Sequence, residues 1–495
     1  MTRPRAGGRV SRSVWWWGGA VLLAVGIAAL GWADAVRPVQ EGGEPAGPAP
    51  SPRERYGVPG EKERFEIRKD IIAKRLNTVL LPAMRAHGID LWLVFSREHN
   101  LDPMHSEIGG GWGGVRNAYL FFDRGGDRPE KIFIGSHELH DSTIPDTYDQ
   151  VIYYGYSRDG VTADLKRIVE ERDPKRIGVN VSPTLPMADG LSWSLRRFLE
   201  ESLGPKYASR LASAELVVRD FRTHHIPDEW RPYADLCRWT VAWEEEALSD
   251  TVIVPGRTTV ADVHWWLRQQ AADLGLIVEF LPNVRVTRHG ENLAPSNSPE
   301  HVIQPGDVLS IDAGVGYIDY RTDIKRTAYV LRPGETDAPA SMQKAFADAM
   351  RVTDILTGNM TPGAIAHEVW AKTMREAEAL GYESGANPAG SSIIRDEPDR
   401  PEVGIYSHSV GNSTHDIGAR VAQNWPFAYG DRVGYPLRVN AWYSVELHVS
   451  TPIPEWDGRL LPIRIEEDAA LTERGIEYFA PRQTKLLLIG GRRAN

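Results

Sequence analysis

The sequence predicts an α/β domain followed by a larger domain in which helices are mixed with strands. Three observations carry this. Helical stripes and short apolar runs alternate from Glu66 to about residue 203, the pattern of strands covered by helices. A second set of long amphipathic segments begins near Asp228, and the strand-like stretches among them carry acidic residues. The chain has 495 residues, well past the ~250–300 at which a single core stops growing.

Residues 1–35, ahead of the folded part, read as a targeting segment. Arg3, Arg5, Arg9 and Arg12 form a basic head, and an apolar run follows from Val14 to Trp32. Ala33-Asp34-Ala35 offers a small-x-small cleavage site before Val36, so a signal peptide is expected. The apolar run of 19 residues is also long enough to span a bilayer, and Trp15-Trp16-Trp17 would suit its interface. A retained membrane anchor through residues 14–32 therefore stays open beside cleavage. Either way the folded part is exported, to a periplasmic or other extracytoplasmic space. Residues 36–58 contain Gly42-Gly43, Pro45, Pro48, Pro50 and Pro52 amid polar residues, which predicts a flexible linker.

Residues 59–226 are expected to form the α/β domain. Ile67, Ile71, Ile72, Leu76, Val79, Leu80 and Met84 fall on one helical stripe between Glu66 and Gly88, with a kink at Pro82. Strand candidates are Leu91–Phe95, Ala118–Phe122, Lys131–Ile134, Val151–Tyr154 and Arg176–Val181. Helices are expected over about 162–172 and 189–203. His137, His140, His224 and His225 are read as surface or structural residues.

Residues 227–487 make the second domain. A helix over about 228–250 places Trp239 and Trp243 on one face, and Pro255-Gly256-Arg257-Thr258 turns the chain into a helix over Val260–Leu274. Strand-like stretches follow at Ile277–Leu281, Val308–Ala313 and Arg326–Leu331, then helices near 340–357 and 364–380 separated by Pro362-Gly363. Tyr382 to Ile405 is weakly patterned and is expected to be loop beside a cleft. Trp442–Val449 and Leu461–Ile465 supply the last strands.

Composition removes some classes of function. A formal charge of −10, with no basic tract beyond the amino terminus, argues against a nucleic-acid surface. The single cysteine, Cys237, forms no intrachain disulfide and is read as a small buried hydrophobe within a helix.

Five potential metal ligands stand out by order and setting. They are Asp312 in Ile311-Asp312-Ala313-Gly314, Asp323 in Asp323-Ile324-Lys325-Arg326-Thr327, His408 in His-x-x-Gly-x-x-x-His-Asp ending at Asp416, Glu446 in Ser444-Val445-Glu446, and Glu466 in Arg464-Ile465-Glu466-Glu467. Four carboxylates and one imidazole suit a pair of borderline-hard divalent ions, such as Mn, Zn, Co or Fe. Each residue alone would be ordinary, since an isolated glutamate near a strand is usually solvated. Their joint occurrence, each in a strand-like or turn setting, is what carries weight.

This order and spacing resembles the M24 metallopeptidases, the pita-bread family of Xaa-Pro aminopeptidases, prolidases and methionine aminopeptidases, whose fold the non-metal creatinases share. The resemblance covers about 230–485, and more loosely about 60–225. It implies a creatinase/prolidase-like α/β amino-terminal domain and an α+β pita-bread (creatinase/aminopeptidase-like) catalytic domain. It further implies that Asp312 chelates one metal, that Asp323 and Glu466 bridge two, and that His408 and Glu446 bind the other. Glu446 would also accept a proton from the attacking water. His415 would donate a hydrogen bond to the scissile carbonyl, or else orient a ligand from behind. The implied activity is exported, dinuclear hydrolysis of Xaa-Pro bonds at peptide amino termini or in dipeptides, with a homodimer open.

Two departures bear on substrate. The family's usual histidine upstream of the first aspartate is replaced by Pro295, and its histidine shortly before the metal histidine by Gly404. His289 is a candidate to replace the first. His448, two residues past Glu446, is a candidate to face the same cleft. Peptide recognition is thus expected to differ from the family's. Another C–N hydrolysis or a lyase reaction on a small molecule remains an alternative, as does a non-catalytic binding protein.

Overall fold

Two helices stand where one stripe was expected. In the computed structural model the chain is described over residues 51–490, apart from 113, 137–141, 156, 158–159, 291–297, 385–400 and 425–429. The leader, most of the linker, His137, His140 and Pro295 lie outside the described residues. The first helix runs Glu61–Thr78, breaks at Val79 and resumes as Leu80–Ala86. Pro82 accounts for the break: it has no N–H to give the Thr78 carbonyl, and its ring crowds that carbonyl. Gly88 then adopts a left-handed φ of 61° and turns the chain into the Leu91–Ser96 strand.

That strand lies inside a six-stranded mixed sheet ordered Gln150–Tyr153, Glu130–Gly135, Asn117–Phe122, Leu91–Ser96, Ile177–Val179, Leu211–Ser213. Trp92 and Val94 pack on one face with Tyr119, Phe121 and Phe133. Leu91, Leu93 and Phe95 pack on the other with Leu120, Ile132 and Ile134, under helices Thr162–Arg172 and Trp193–Ala208. Both faces are covered, so the strand reads as a continuous apolar run rather than an alternating one. A further helix, Glu215–Thr223, closes this α/β domain.

The stretch expected as linker through residue 58 is ordered from Ser51. Pro52–Tyr56 is a helix opened by a capping box between Ser51 and Glu54, and Val58 is buried in the core of the second domain. Tyr56 Oη donates to Glu246 at 2.7 Å, which fixes this entry segment to the helix Pro227–Ala247.

The second domain is built on a ten-stranded sheet. Its main path runs Glu383–Ser384, Glu402–Ile405, Trp442–Pro452, Leu460–Thr472, Ile324–Val330, Val308–Ala313, Asn283–Thr287. Helices Pro227–Ala247 and Val260–Leu274 cover one part of it, and Ala340–Asn359 and Ala366–Glu378 another. Asn283–Thr287 and the hairpin Val315–Tyr317/Tyr320–Arg321 were not expected as strands. Glu402–Ile405, expected as loop, pairs with Leu447–Ser450. Cys237 is buried in its helix, as expected. Among the described residues no helix is long and apolar enough to cross a membrane.

Candidate active site

Strand register gathers the acidic residues into one row. Glu446 lies opposite Glu466, and Lys325 lies opposite both Glu466 and Asp312 on its two neighbouring strands. Directly opposed residues point to the same face of a sheet, so this row presents its side chains together. Asp323 precedes Lys325 by two residues and shares its side. His408 pairs with Ser444, two residues before Glu446, and joins the same face. All five expected ligands therefore converge.

His408 is fully buried. Its Nδ1–H donates to the Ser409 carbonyl at 3.0 Å, which leaves Nε2 as the bare nitrogen. Nε2 has no hydrogen-bond partner, and it faces Asp323 Oδ2 at 3.5 Å, Glu466 Oε1 at 3.8 Å and Glu446 Oε2 at 3.9 Å. Metal–ligand bonds of ~2.0–2.2 Å set donors of one ion roughly 3–4 Å apart. An unpartnered imidazole nitrogen ringed by three carboxylate oxygens at that spacing fits a divalent ion.

The Asp312 half differs. Donor atoms of Asp312, Asp323 and Glu466 also lie within 4.8 Å of one another, but the ammonium of Lys325 stands among them. Lys325 Nζ donates to Glu466 Oε2 at 2.5 Å and Glu446 Oε1 at 2.6 Å, and lies 3.4 Å from Asp312 Oδ2. Burial alone would depress the lysine, but Asp312, Glu446, Glu466 and Asp323 outweigh it and hold Lys325 well above its ordinary pKa. Asp323 is pushed well above the usual carboxylate range by burial and by the neighbouring Glu466 and Asp312 charges.

His415 stands at the mouth, its ring 4.6 Å from that of His408 and its Nε2 3.6 Å from Asp323 Oδ2. Its side chain is 66% exposed, yet the cleft walls and the neighbouring His408 and Arg420 lower its pKa, so the imidazole is neutral at pH 7. The next residue, Asp416, is fully buried and accepts from Arg222 Nε at 2.6 Å, and Arg222 Nη2 donates to Ser413 Oγ at 2.6 Å. Arg222 belongs to the amino-terminal domain, which thereby holds the loop that carries His415.

A cleft of about 1310 Å³ opens over this floor. Its lining includes the apolar Trp265, Phe280 and Leu281 and the polar Arg285, Arg464 and His448. His448 does face the side of Glu446. It lies opposite Gly404 in the sheet, and a β-carbon built at Gly404 would fall 2.4 Å from its ring. The imidazole of His448 thus fills the space beside residue 404. Burial, then Arg464, Lys325 and Arg285, lower its pKa to about 3, and its Nε2 is buried without a partner. His289 does not replace the missing histidine: it pairs with Asp457 at 3.1 Å and is absent from the cleft lining.

Lys325 is the main residue that the motif reading left without a role. The signal was present, because strand alternation from Asp323 puts position 325 on the ligand face. Arg222 and Arg285 carried no such signal, since neither belongs to a motif.

The family model described as Metallopeptidase family M24 matches residues 238–473, the span that contains all five expected ligands. No curated protein matches the chain significantly. Among solved structures, an X-Pro aminopeptidase from Thermotoga maritima superposes with a TM-score of 0.60 at 17% identity, covering 82% of this chain and 99% of its own. A Xaa-Pro dipeptidase from Bacillus anthracis gives 0.56 at 18%, covering 85% and 99%. The amino-terminal domain of a FACT complex subunit from Cicer arietinum gives 0.52 at 10%, covering 83% and 96%. These neighbours share the fold, which thus occurs in a FACT complex subunit as well as in peptidases. With an α/β domain in front and a pita-bread domain carrying the site, the chain matches metallopeptidase family M24 over residues 238–473.

Proposed function

We propose that this protein is an exported metallopeptidase that cleaves Xaa-Pro bonds, at peptide amino termini or in dipeptides. The observation that carries the reading is the unpartnered His408 Nε2, ringed by Asp323, Glu446 and Glu466 on the floor of a large cleft. In this reading Asp312, Asp323, His408, Glu446 and Glu466 supply the metal donors. A bound divalent ion would polarise the scissile carbonyl and make water a stronger acid. Glu446, at the edge of that floor, accepts the proton of the attacking water. His415, neutral and at the mouth, donates its remaining N–H to the carbonyl oxygen as charge develops there. The apolar side chains of Trp265, Phe280 and Leu281 in the cleft lining suit a flat proline ring. Arg285 and Arg464 offer positive charge to a terminal carboxylate.

A screen of the metal-reconstituted enzyme against Xaa-Pro dipeptides, longer Xaa-Pro peptides and non-proline controls tests this directly. Preferential, metal-dependent release of the residue before proline is expected. Gly404 favours a second reading, hydrolysis or elimination on a small non-peptide molecule, because it departs from the expected histidine beside the floor on which the peptide would lie. Full metal loading with no peptide cleaved would put that reading first, and loading with no turnover of any substrate would favour a binding protein. Export rests on the basic head and the apolar run Val14–Trp32. Amino-terminal sequencing should find either a start near Val36 or an intact, membrane-held leader; an intact leader on a cytosolic protein would defeat export.

A further inference from the structure

We propose that Lys325 takes the place of one ion, so that this centre holds a single divalent metal beside a fixed ammonium. The inference rests on the metallopeptidase reading and refines it.

The geometry is specific to oxygen atoms. Glu446 turns Oε2 toward His408 and Oε1 toward Lys325; Glu466 turns Oε1 toward His408 and Oε2 toward Lys325. Both carboxylates therefore already bridge two cationic positions, one at the bare His408 nitrogen and one filled by Nζ. An ammonium has three donors. Glu446, Glu466 and Asp312 are its three carboxylate neighbours, whereas the carboxylates that face His408 Nε2 are Asp323, Glu446 and Glu466. Placement follows from the backbone rather than from a flexible reach, since Lys325 sits opposite Asp312 on one side and Glu466 on the other. The residue is buried, so water does not screen it from a neighbouring charge. A second dication among Asp312, Asp323 and Glu466 would lie in contact with this ammonium and compete with it for the same oxygens. One dication at His408 meets no such conflict.

Two assignments change as a result. Asp312 becomes the acceptor that fixes the lysine instead of a metal chelator. Glu466 bridges a metal and an ammonium instead of two metals. Lys325 then acts toward substrate as a non-exchangeable positive charge on the cleft floor.

Metal counting on the full-length chain tests this without reference to turnover. After equilibration with Mn²⁺ and removal of excess, the wild type should hold one ion per chain with the electron paramagnetic resonance spectrum of an isolated Mn²⁺. Lys325→Thr, which suits a strand and clears the ammonium, should hold two ions with an exchange-coupled spectrum. Asp312→Asn should keep the single ion, and His408→Ala should lose it. Should Lys325→Thr fail to fold, the wild-type count and the Asp312→Asn count still decide. Two coupled ions in the wild type would overturn the inference while leaving the metallopeptidase reading intact. One ion in both wild type and Lys325→Thr would also overturn it, because the lysine would not be what excludes the second. No ion in the wild type and no peptide cleaved would remove both readings together.

Discussion

A neutral imidazole and a buried ammonium share one cleft, and their surroundings give them different tasks. His415 is kept uncharged by the cleft walls and by the adjacent His408 and Arg420. A neutral ring retains one N–H to donate and needs no counterion, which suits contact with a carbonyl. His415→Ala should therefore keep its metal, because Asp323, His408, Glu446 and Glu466 remain, while turnover falls on the order of 10²–10³ for loss of one stabilising donor. Paired metal analysis and kinetics check this. If the variant releases metal while His408→Ala does not, the two histidines have exchanged roles. His448 is a separate case at the same scale. It occupies the space over Gly404 from the opposite strand.

At the scale of elements, the sequence was most legible where pattern alone determines structure. Val260–Leu274 and Val308–Ala313 were found with the bounds expected, because one carries a capping box at Thr259 and the other is a short apolar run before a glycine. Short strands paired at a sheet edge were not legible. Asn283–Thr287 mixes Asn, Arg and Thr with two valines, and only its pairing with Val308–Asp312 makes it a strand. The ligand set was readable because each residue sits in a local motif with fixed spacing. Lys325 lies within such a motif, and strand alternation from Asp323 places it on the same face as the ligands. Arg222 could not have been found, since its partners Asp416 and Ser413 are nearly two hundred residues away in sequence. Spacing encodes what one strand presents; which strands lie side by side is a tertiary fact.

Across the whole molecule, buried and half-buried ion pairs tie the amino-terminal domain to the catalytic one. Arg68 pairs with Asp319 at 2.6 Å, Arg222 with Asp416 at 2.6 Å, and Arg75 with Glu229 at 2.7 Å. Glu229 is the clearest to test, because it lies away from the metal floor and is fully buried. Burial alone would raise its pKa, but the Arg75 charge, then His225 and the Ile226 N–H, overrule it and hold it at about 2 against an ordinary 4.5. A carboxylate depressed on folding adds stability above its unfolded value and gives it up as pH falls through the folded one. The window is thus pH 4.5 down to about 2, and a shift of this size corresponds to on the order of 3 kcal/mol. Glu107 and Glu467 are raised to about 7 by burial and act with the opposite sign, so the wild-type curve alone does not isolate Glu229. The difference between wild type and Glu229→Gln does. At neutral pH the variant should be less stable by about 3–5 kcal/mol, since Arg75 is left buried without its charge partner. As pH falls from about 4.5 toward 2 the unfolded chain takes up a proton that the folded Glu229 does not, so the wild type gives up this stability and the gap should narrow steadily. Denaturant melts at several pH values would reveal this, and a gap that stays constant from pH 6 to pH 3 would show that Glu229 is not the ionised link between the two domains.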